Sequence, residues 1–458
     1  MIITGFFPLF ALLLMWSLSS PKNWLKATIV CATFQAASPF LLVAAGRFIG
    51  MTPAYLMLAV GFFHVFNLVV KDVRASGGER LVAMRFPKEI WALLLFSMYA
   101  VLCAVLAPKV FAGDVKIMSP REGISVSAGL LPLRFGMGNV FQSVYIVFNF
   151  LLCFFAFFIL SKQKASVKDV IKGCELAVWL IVLVGAYQMV AFSVGLYWPS
   201  EIINSNAGGA QSFDQFANGV KRVSATFVEP SVMAMHSIGL LGLMIVAKRH
   251  RLLIGGLALM LLLTSSTTAI VGCVLLFATY LFLSFKKIDL ELFRRITVVI
   301  VGGTLMAVLL LAFDTLFFDG QYLEKVFLNK LSSNSGVARS QADFHAVGLL
   351  FETYGIGVGV GSNRASSWLA NTLASNGLFG IIFLVITFAC VIRILGKSAS
   401  DNDKAISVTV LGMLIGAMIS VPDLAMPFMW LLLGVCIAIS QTLSNQGAND
   451  AIALSPAT

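Results

Sequence analysis

Charge is what this chain has least of. Only 12% of its 458 residues are Asp, Glu, Lys or Arg, about half the share of a typical soluble chain. Hydrophobic residues make up 59% and the mean hydropathy is +0.93. No water-soluble core could hide that much apolar surface, so a soluble enzyme is excluded. Disorder is excluded by the same numbers. Histidine is scarce: His64, His236, His250 and His345 are too scattered for a His-rich metal site. The seven cysteines stand singly in or at the edges of apolar runs, without metal-ligand spacing. They read as packed, inert thiols. The N-terminus has no basic region and no small-residue cleavage site, so residues 2–19 read as a retained first span. No metal and no cofactor is expected. The net charge of +11 is not gathered on one basic face, which removes nucleic acid as a partner and leaves membrane lipids.

What is present is a succession of apolar runs. They fall near 2–19, 27–45, 53–70, 90–107, 139–160, 174–196, 230–247, 252–264, 267–285, 296–313, 372–393, 405–421 and 424–442. None shows the alternation of a barrel strand. The expected fold is all-α: a polytopic membrane helical bundle of about 12–13 transmembrane helices, at about 20 residues per crossing. The spans 252–264 and 267–285 are separated only by Ser265 and Ser266, which requires a tight helical hairpin. Pro422 and Asp423 separate the last two, which form either two helices or one bent element.

Alternation of the loops places 21 of the 32 Lys and Arg on one side, the cytoplasmic side by the positive-inside rule. Segments 108–138, 197–229 and 314–371 then face outward. The last is a large external loop with helix-like stretches near 321–331 and 338–353. The second of these can lie on the membrane surface as an amphipathic helix. The loop ends in the glycine run Gly355, Gly357, Gly359 and Gly361, which lacks the strand–turn–helix context of a nucleotide site. A backbone turn that approaches a phosphate or sugar closely is the expected role. Three regions follow: 1–220, N-terminal helices; 221–395, a catalytic-type core; 396–458, C-terminal helices and a short tail.

The candidate site residues are external. Arg222 opens the seventh span and Glu229 follows seven residues on, beside Pro230. A carboxylate at a helix mouth is costly against lipid and is expected to face a polar cavity. Arg339 and Arg364 lie on two further external segments. Three planar guanidinium forks can hold phosphate oxygens bidentately, whereas isolated arginines can equally meet anionic headgroups. His345 is a second candidate base after Glu229. Trp368 and Tyr322 can stack on sugar faces or sit in an interfacial aromatic belt. Residues 264–268, Thr-Ser-Ser-Thr-Thr, read chiefly as turn chemistry.

The order of these motifs resembles the bacterial O-antigen polymerase and ligase superfamily. The resemblance covers roughly 220–395. It rests on Arg222-x6-Glu229-Pro-Ser, the Leu263–Thr268 hairpin, the arginine helix, Gly357–Arg364 and the exit Trp368–Gly380. It implies a glycosyltransferase of the bacterial inner membrane, acting at the periplasmic face on undecaprenyl-diphosphate-linked oligosaccharides. Arg222 and Arg339 match the family's external arginines that hold the diphosphate. A co-polymerase that regulates chain length is an implied partner. Ligases carry a histidine at the loop exit, where this chain has Ser366-Ser367-Trp368-Leu369. Polymerisation of O-antigen or exopolysaccharide repeats is therefore expected ahead of ligation to the lipid A core, with a lipid-linked oligosaccharide flippase as the rival.

Overall fold

The computed structural model describes residues 1–44, 47–77, 85–118, 129–206, 214–217, 220–284, 311–312, 315, 320 and 334–453. Numbering the helices longer than ten residues in chain order, α1 is Phe7–Leu18, α2 Pro21–Thr33, α3 Pro53–Ser76, α4 Lys88–Val110 and α5 Met137–Ser161. Val167–Val194 is α6, Pro230–Val246 α7, Arg251–Leu263 α8 and Thr267–Ser284 α9. Asn334–Glu352 is α10, Trp368–Lys397 α11, Asp401–Ser420 α12 and Pro427–Ala453 α13. The chain is an all-α polytopic bundle, as its composition requires.

Among the described residues, seven helices, α3–α6 and α11–α13, are long and apolar enough to cross a bilayer unaided; α1, α7, α8 and α9 are apolar but shorter. The expected run at 27–45 is not one helix. It stops at Thr33, and Phe40–Ala44 pairs with Arg47–Gly50 as an antiparallel hairpin that Ile2–Ile3 joins at its edge. Pro39 is the physical reason, because it biases Ser38 toward extended backbone and offers no N–H to a continuing helix. Val421–Met426 separates α12 from α13, so the last two spans are distinct helices. The span at 296–313 lies almost wholly outside the described residues.

The two ends of the bundle differ in chemistry. Lys26–Asp169, Lys162–Asp72, Arg249–Glu175, Lys248–Asp401 and Arg393–Glu89 are ion pairs of 2.5–3.1 Å at the end expected to face the cytoplasm. The opposite end holds the small hairpins: the one at 40–50, Lys116–Met118 with Leu130–Pro132, and Phe216–Ala217 with Val220–Lys221.

Between the ends, helices touch through small residues. A Cβ added at Gly239 of α7 would come within 2.3 Å of the Thr409 carbonyl oxygen, and one at Gly416 of α12 within 2.8 Å of Met235 Cα. Gly412 and Gly416 are one helical turn apart, so α7 lies against α12 in a small-xxx-small contact. That contact sets the mouth of α7 beside the end of α12. Six of the seven cysteines are buried and all are free, in keeping with packed thiols.

Candidate functional site

The segment 222–229 is fixed from several sides. Gln188 of α6 accepts the backbone N–H groups of Ser224 and Ala225 (both 2.9 Å) on its Oε1. Thr226 Oγ1 donates to the Thr33 carbonyl (2.7 Å), and Val223 N–H to the Leu263 carbonyl (3.0 Å). Ala225 takes a left-handed φ of 47°, a conformation an L-residue keeps only when its surroundings hold it there. These bonds put Arg222 against the α8–α9 hairpin, where its Nε donates to the Thr264 carbonyl (3.0 Å) and its Nη1 to Gln215 Oε1 (2.5 Å).

Glu229 is the N-cap residue of α7, in extended backbone, with Pro230 at the first helical position. Its carboxylate makes no cap bond; Oε1 accepts the Ser231 hydroxyl (2.5 Å). Glu229 forms no ion pair among the described residues. Beside Arg222, Lys221 is buried between Phe192 and Phe216, 4.7 and 5.2 Å from their ring centroids, and pairs with Asp214 at 3.4 Å. Burial pulls its amine below the ordinary lysine range, and the Asp214 carboxylate works against that shift.

Arg222, Glu229 and Arg339 line one cavity of about 440 Å³, with Gln215, Ser231, Ser266, Thr267, Thr268, Gly336, Ser340, Asp343, Ser366, Ile419 and Ser420. Three segments distant in sequence therefore meet there. Arg339 is exposed on α10, and its guanidinium makes no hydrogen bond or ion pair among the described residues. The volume is that of a small-molecule site, but the lining is far more polar than most.

The other expected residues lie elsewhere. His345 Nε2 is 3.0 Å from the Lys116 carbonyl, on the side of α10 that meets the Lys116–Met118 hairpin, and is not among the residues lining the cavity. Arg364 does not line it either; its backbone N–H donates to the Met118 carbonyl (3.1 Å). Trp368 is 3% exposed and packs edge-on against Phe388, so it presents no open ring face. Tyr322 lies outside the described residues.

The glycine run approaches protein backbone. Gly355, Gly357, Gly359 and Gly361 all have positive φ. A Cβ at Gly359 would come within 2.6 Å of the Cys103 carbonyl oxygen in α4, and one at Gly361 within 2.3 Å of the Gly138 carbonyl oxygen in α5. Asn139 Nδ2 clamps the run by donating to the Val360 carbonyl (2.8 Å) and to Ser362 Oγ (2.7 Å). The run is wedged between helices.

Sequence reasoning assigned no role to Asp343, Gln215, Ser366 or Ser420 and read 264–268 as a turn. That reading is half the account: Ser265 turns the hairpin at a φ of 49°, while Ser266, Thr267 and Thr268 line the cavity. The one available signal was the i, i+4 spacing of Arg339 and Asp343. No family model matches the chain, and no curated protein matches it.

Proposed function

We propose that this protein is a membrane glycosyltransferase that polymerises undecaprenyl-diphosphate-linked oligosaccharide repeat units into O-antigen or exopolysaccharide at the periplasmic face of the bacterial inner membrane. The observation that carries the reading is the meeting of Arg222, Glu229 and Arg339 in one cavity, at the end of the bundle opposite the ion-paired basic end. The donor sugar arrives with its leaving group attached, because a diphosphate on the anomeric carbon already activates it. In the proposed step the acceptor hydroxyl oxygen bonds to that carbon as the bond to the diphosphate oxygen breaks. The hydroxyl proton passes to Glu229, and the departing charge is met by Arg222 and Arg339.

Reaction of the purified protein with undecaprenyl-diphosphate repeats, scored as a ladder on a gel, tests this directly. In cells, the glycan profile of a deletion strain separates the alternatives. Single-repeat products support a polymerase; bare core indicates a ligase. Lipid-linked units trapped on the cytoplasmic side indicate a flippase.

A further inference from the structure

At the ion-paired end, the chain leaves α5 through Ser161, Lys162, Gln163 and Lys164. These residues line a cavity of about 290 Å³ together with Leu68 and Asp72 of α3. Its volume is at the low end for small-molecule sites. It shares none of its described residues with the cavity of Arg222 and Glu229, which lies at the other end of the bundle.

The way α5 ends decides what faces this cavity. A helix C-terminus ordinarily presents free carbonyls, which repel anions. Here Lys162 N–H donates to the Phe158 carbonyl (3.0 Å), Gln163 N–H to that of Leu160 (2.8 Å) and Lys164 N–H to that of Ile159 (3.1 Å). Gln163 takes a φ of 55° in this closure, at a position where glycine is the less strained residue. With those carbonyls engaged, side chains set the chemistry.

Most of those side chains are donors. Lys162 Nζ is fixed between Asp72 Oδ2 (2.5 Å) and the Phe158 ring (5.7 Å to its centroid), and its remaining N–H groups have no acceptor among the described residues. Lys164 is exposed and makes no hydrogen bond or ion pair among them. The Ser161 hydroxyl is buried and also has no hydrogen-bond partner there. A buried hydroxyl in that condition costs stability until a ligand or water completes it. Asp72 is the one carboxylate among the lining residues, and Lys162 neutralises it, so Lys164 leaves the lining with a net charge of +1.

Charge and depth identify the ligand. One surplus positive charge suits a phosphodiester, which carries a single negative charge. Lys162 is the first residue beyond α5, and Asp72 stands in the last turns of α3, so the cavity is level with the lipid headgroups on that side. Phe62, Phe66 and Val73 of α3 are exposed, as on a helix that meets lipid. Exposed Lys71 and Arg74, with Lys168 at the start of α6, add a basic surround. Basic cavities between membrane helices are where anionic headgroups bind.

We infer that this cavity binds the phosphodiester of an anionic phospholipid drawn from the leaflet at the ion-paired end. Lys162 and Lys164 meet the phosphate oxygens, the Ser161 hydroxyl donates to one of them, and the bound headgroup bridges α3 and α5. A zwitterionic lipid brings a cation of its own, which the surplus charge opposes. Nothing in this site depends on the polymerase reading.

The test uses the full chain in nanodiscs of mixed phosphatidylcholine and phosphatidylglycerol. Native mass spectrometry counts the lipids retained on release, and titration of the detergent-solubilised protein with phosphatidylglycerol gives the affinity. The wild type should retain phosphatidylglycerol in preference to phosphatidylcholine. Lys164→Gln should weaken binding about fivefold, the worth of one lysine at an anionic lipid surface. Ser161→Ala should weaken it about threefold, for one hydrogen bond. Lys168→Gln removes an exposed basic residue of the same end that does not line the cavity, and should leave the affinity unchanged. Equal losses from Lys164→Gln and Lys168→Gln would make the attraction a diffuse property of the basic surface and overturn the site. So would unchanged affinity in both Lys164→Gln and Ser161→Ala, or no preference for phosphatidylglycerol in the wild type. Glycerophosphoglycerol, the same phosphodiester without acyl chains, separates the sources. Its failure to displace the lipid supports a membrane-delivered ligand, and binding as tight as that of the lipid overturns the lipid assignment.

Discussion

Asp343 and Arg339 stand one helical turn apart on α10 and do not pair. The Asp343 carboxylate is turned to the loop before α11, where its Oδ1 accepts the backbone N–H groups of Ser366 (2.6 Å) and Ser367 (3.1 Å). An i, i+4 ion pair would draw the guanidinium onto its own helix. Holding Asp343 elsewhere leaves Arg339 available to the cavity, and it ties α10 to α11 across the site.

Asp343→Ala should therefore lower thermal stability, by about 1.5–3 kcal/mol for the loss of hydrogen bonds to a charged group. Asp343→Asn retains an acceptor at the same place and should lose less. Thermal unfolding of the purified protein in detergent checks both. Equal losses would mean that the charge and the bonds contribute nothing separable.

The two arginines should part company on stability while agreeing on activity. Arg222 bonds to Thr264 and Gln215, so Arg222→Lys should cost about 1–2 kcal/mol. Arg339 has no protein partner among the described residues, so Arg339→Lys should stay within about 0.5 kcal/mol of the wild type. Both lysine variants keep the charge but lose the planar fork, and both should lose most polymer. Full polymer length from either would remove that arginine from the diphosphate site.

Glu229→Gln isolates the proton transfer. Glutamine keeps the size and an acceptor for Ser231 but cannot take a proton, and general-base assistance is typically worth about 10²- to 10⁴-fold. The variant should bind lipid-linked repeats normally and couple them slowly. A ladder formed at the normal rate would rule the base role out, and parallel modest losses in binding and coupling would make Glu229 a shaping residue.

Side-specific labelling tests the orientation. Gln341 is exposed on α10 next to the cavity-lining Ser340, and Lys164 is exposed between α5 and α6 at the ion-paired end. A cysteine at position 341 should react with a membrane-impermeant reagent in intact spheroplasts, and one at 164 only after lysis. The reverse pattern would put the cavity in the cytoplasm.

Much of the helical frame was legible because hydropathy is a local signal. The limits of α5, α7 and α8 fall within two residues or so of the expected spans. The break after Thr33 was written in Pro39 but masked by the apolar residues on either side of it. At the site, Arg222, Glu229 and Arg339 stood out because isolated charges are conspicuous in apolar sequence. The serines and threonines did not, since a hydroxyl at a helix start has the same local appearance whether it caps the helix or faces a cavity. His345 and Trp368 illustrate the complementary limit: their residue types suit the chemistry, but only the packing of α10 and α11 decides which way they face.

The wedged glycine run bears on how this protein can be re-engineered. Gly359→Ala and Gly361→Ala should each cost about 3 kcal/mol or more, combining a positive φ with backbone within 2.6 Å of the new Cβ. Gly113→Ala shares the positive φ but meets nothing within 4 Å, and should cost only about 1 kcal/mol. The stretch 353–367 is thus joinery matched to the surfaces of α4 and α5, and it cannot serve as an interchangeable cassette. A chimaera that grafts this outer segment from another chain would have to import the facing positions around Cys103 and Gly138 as well, or its glycines would meet a groove cut for someone else.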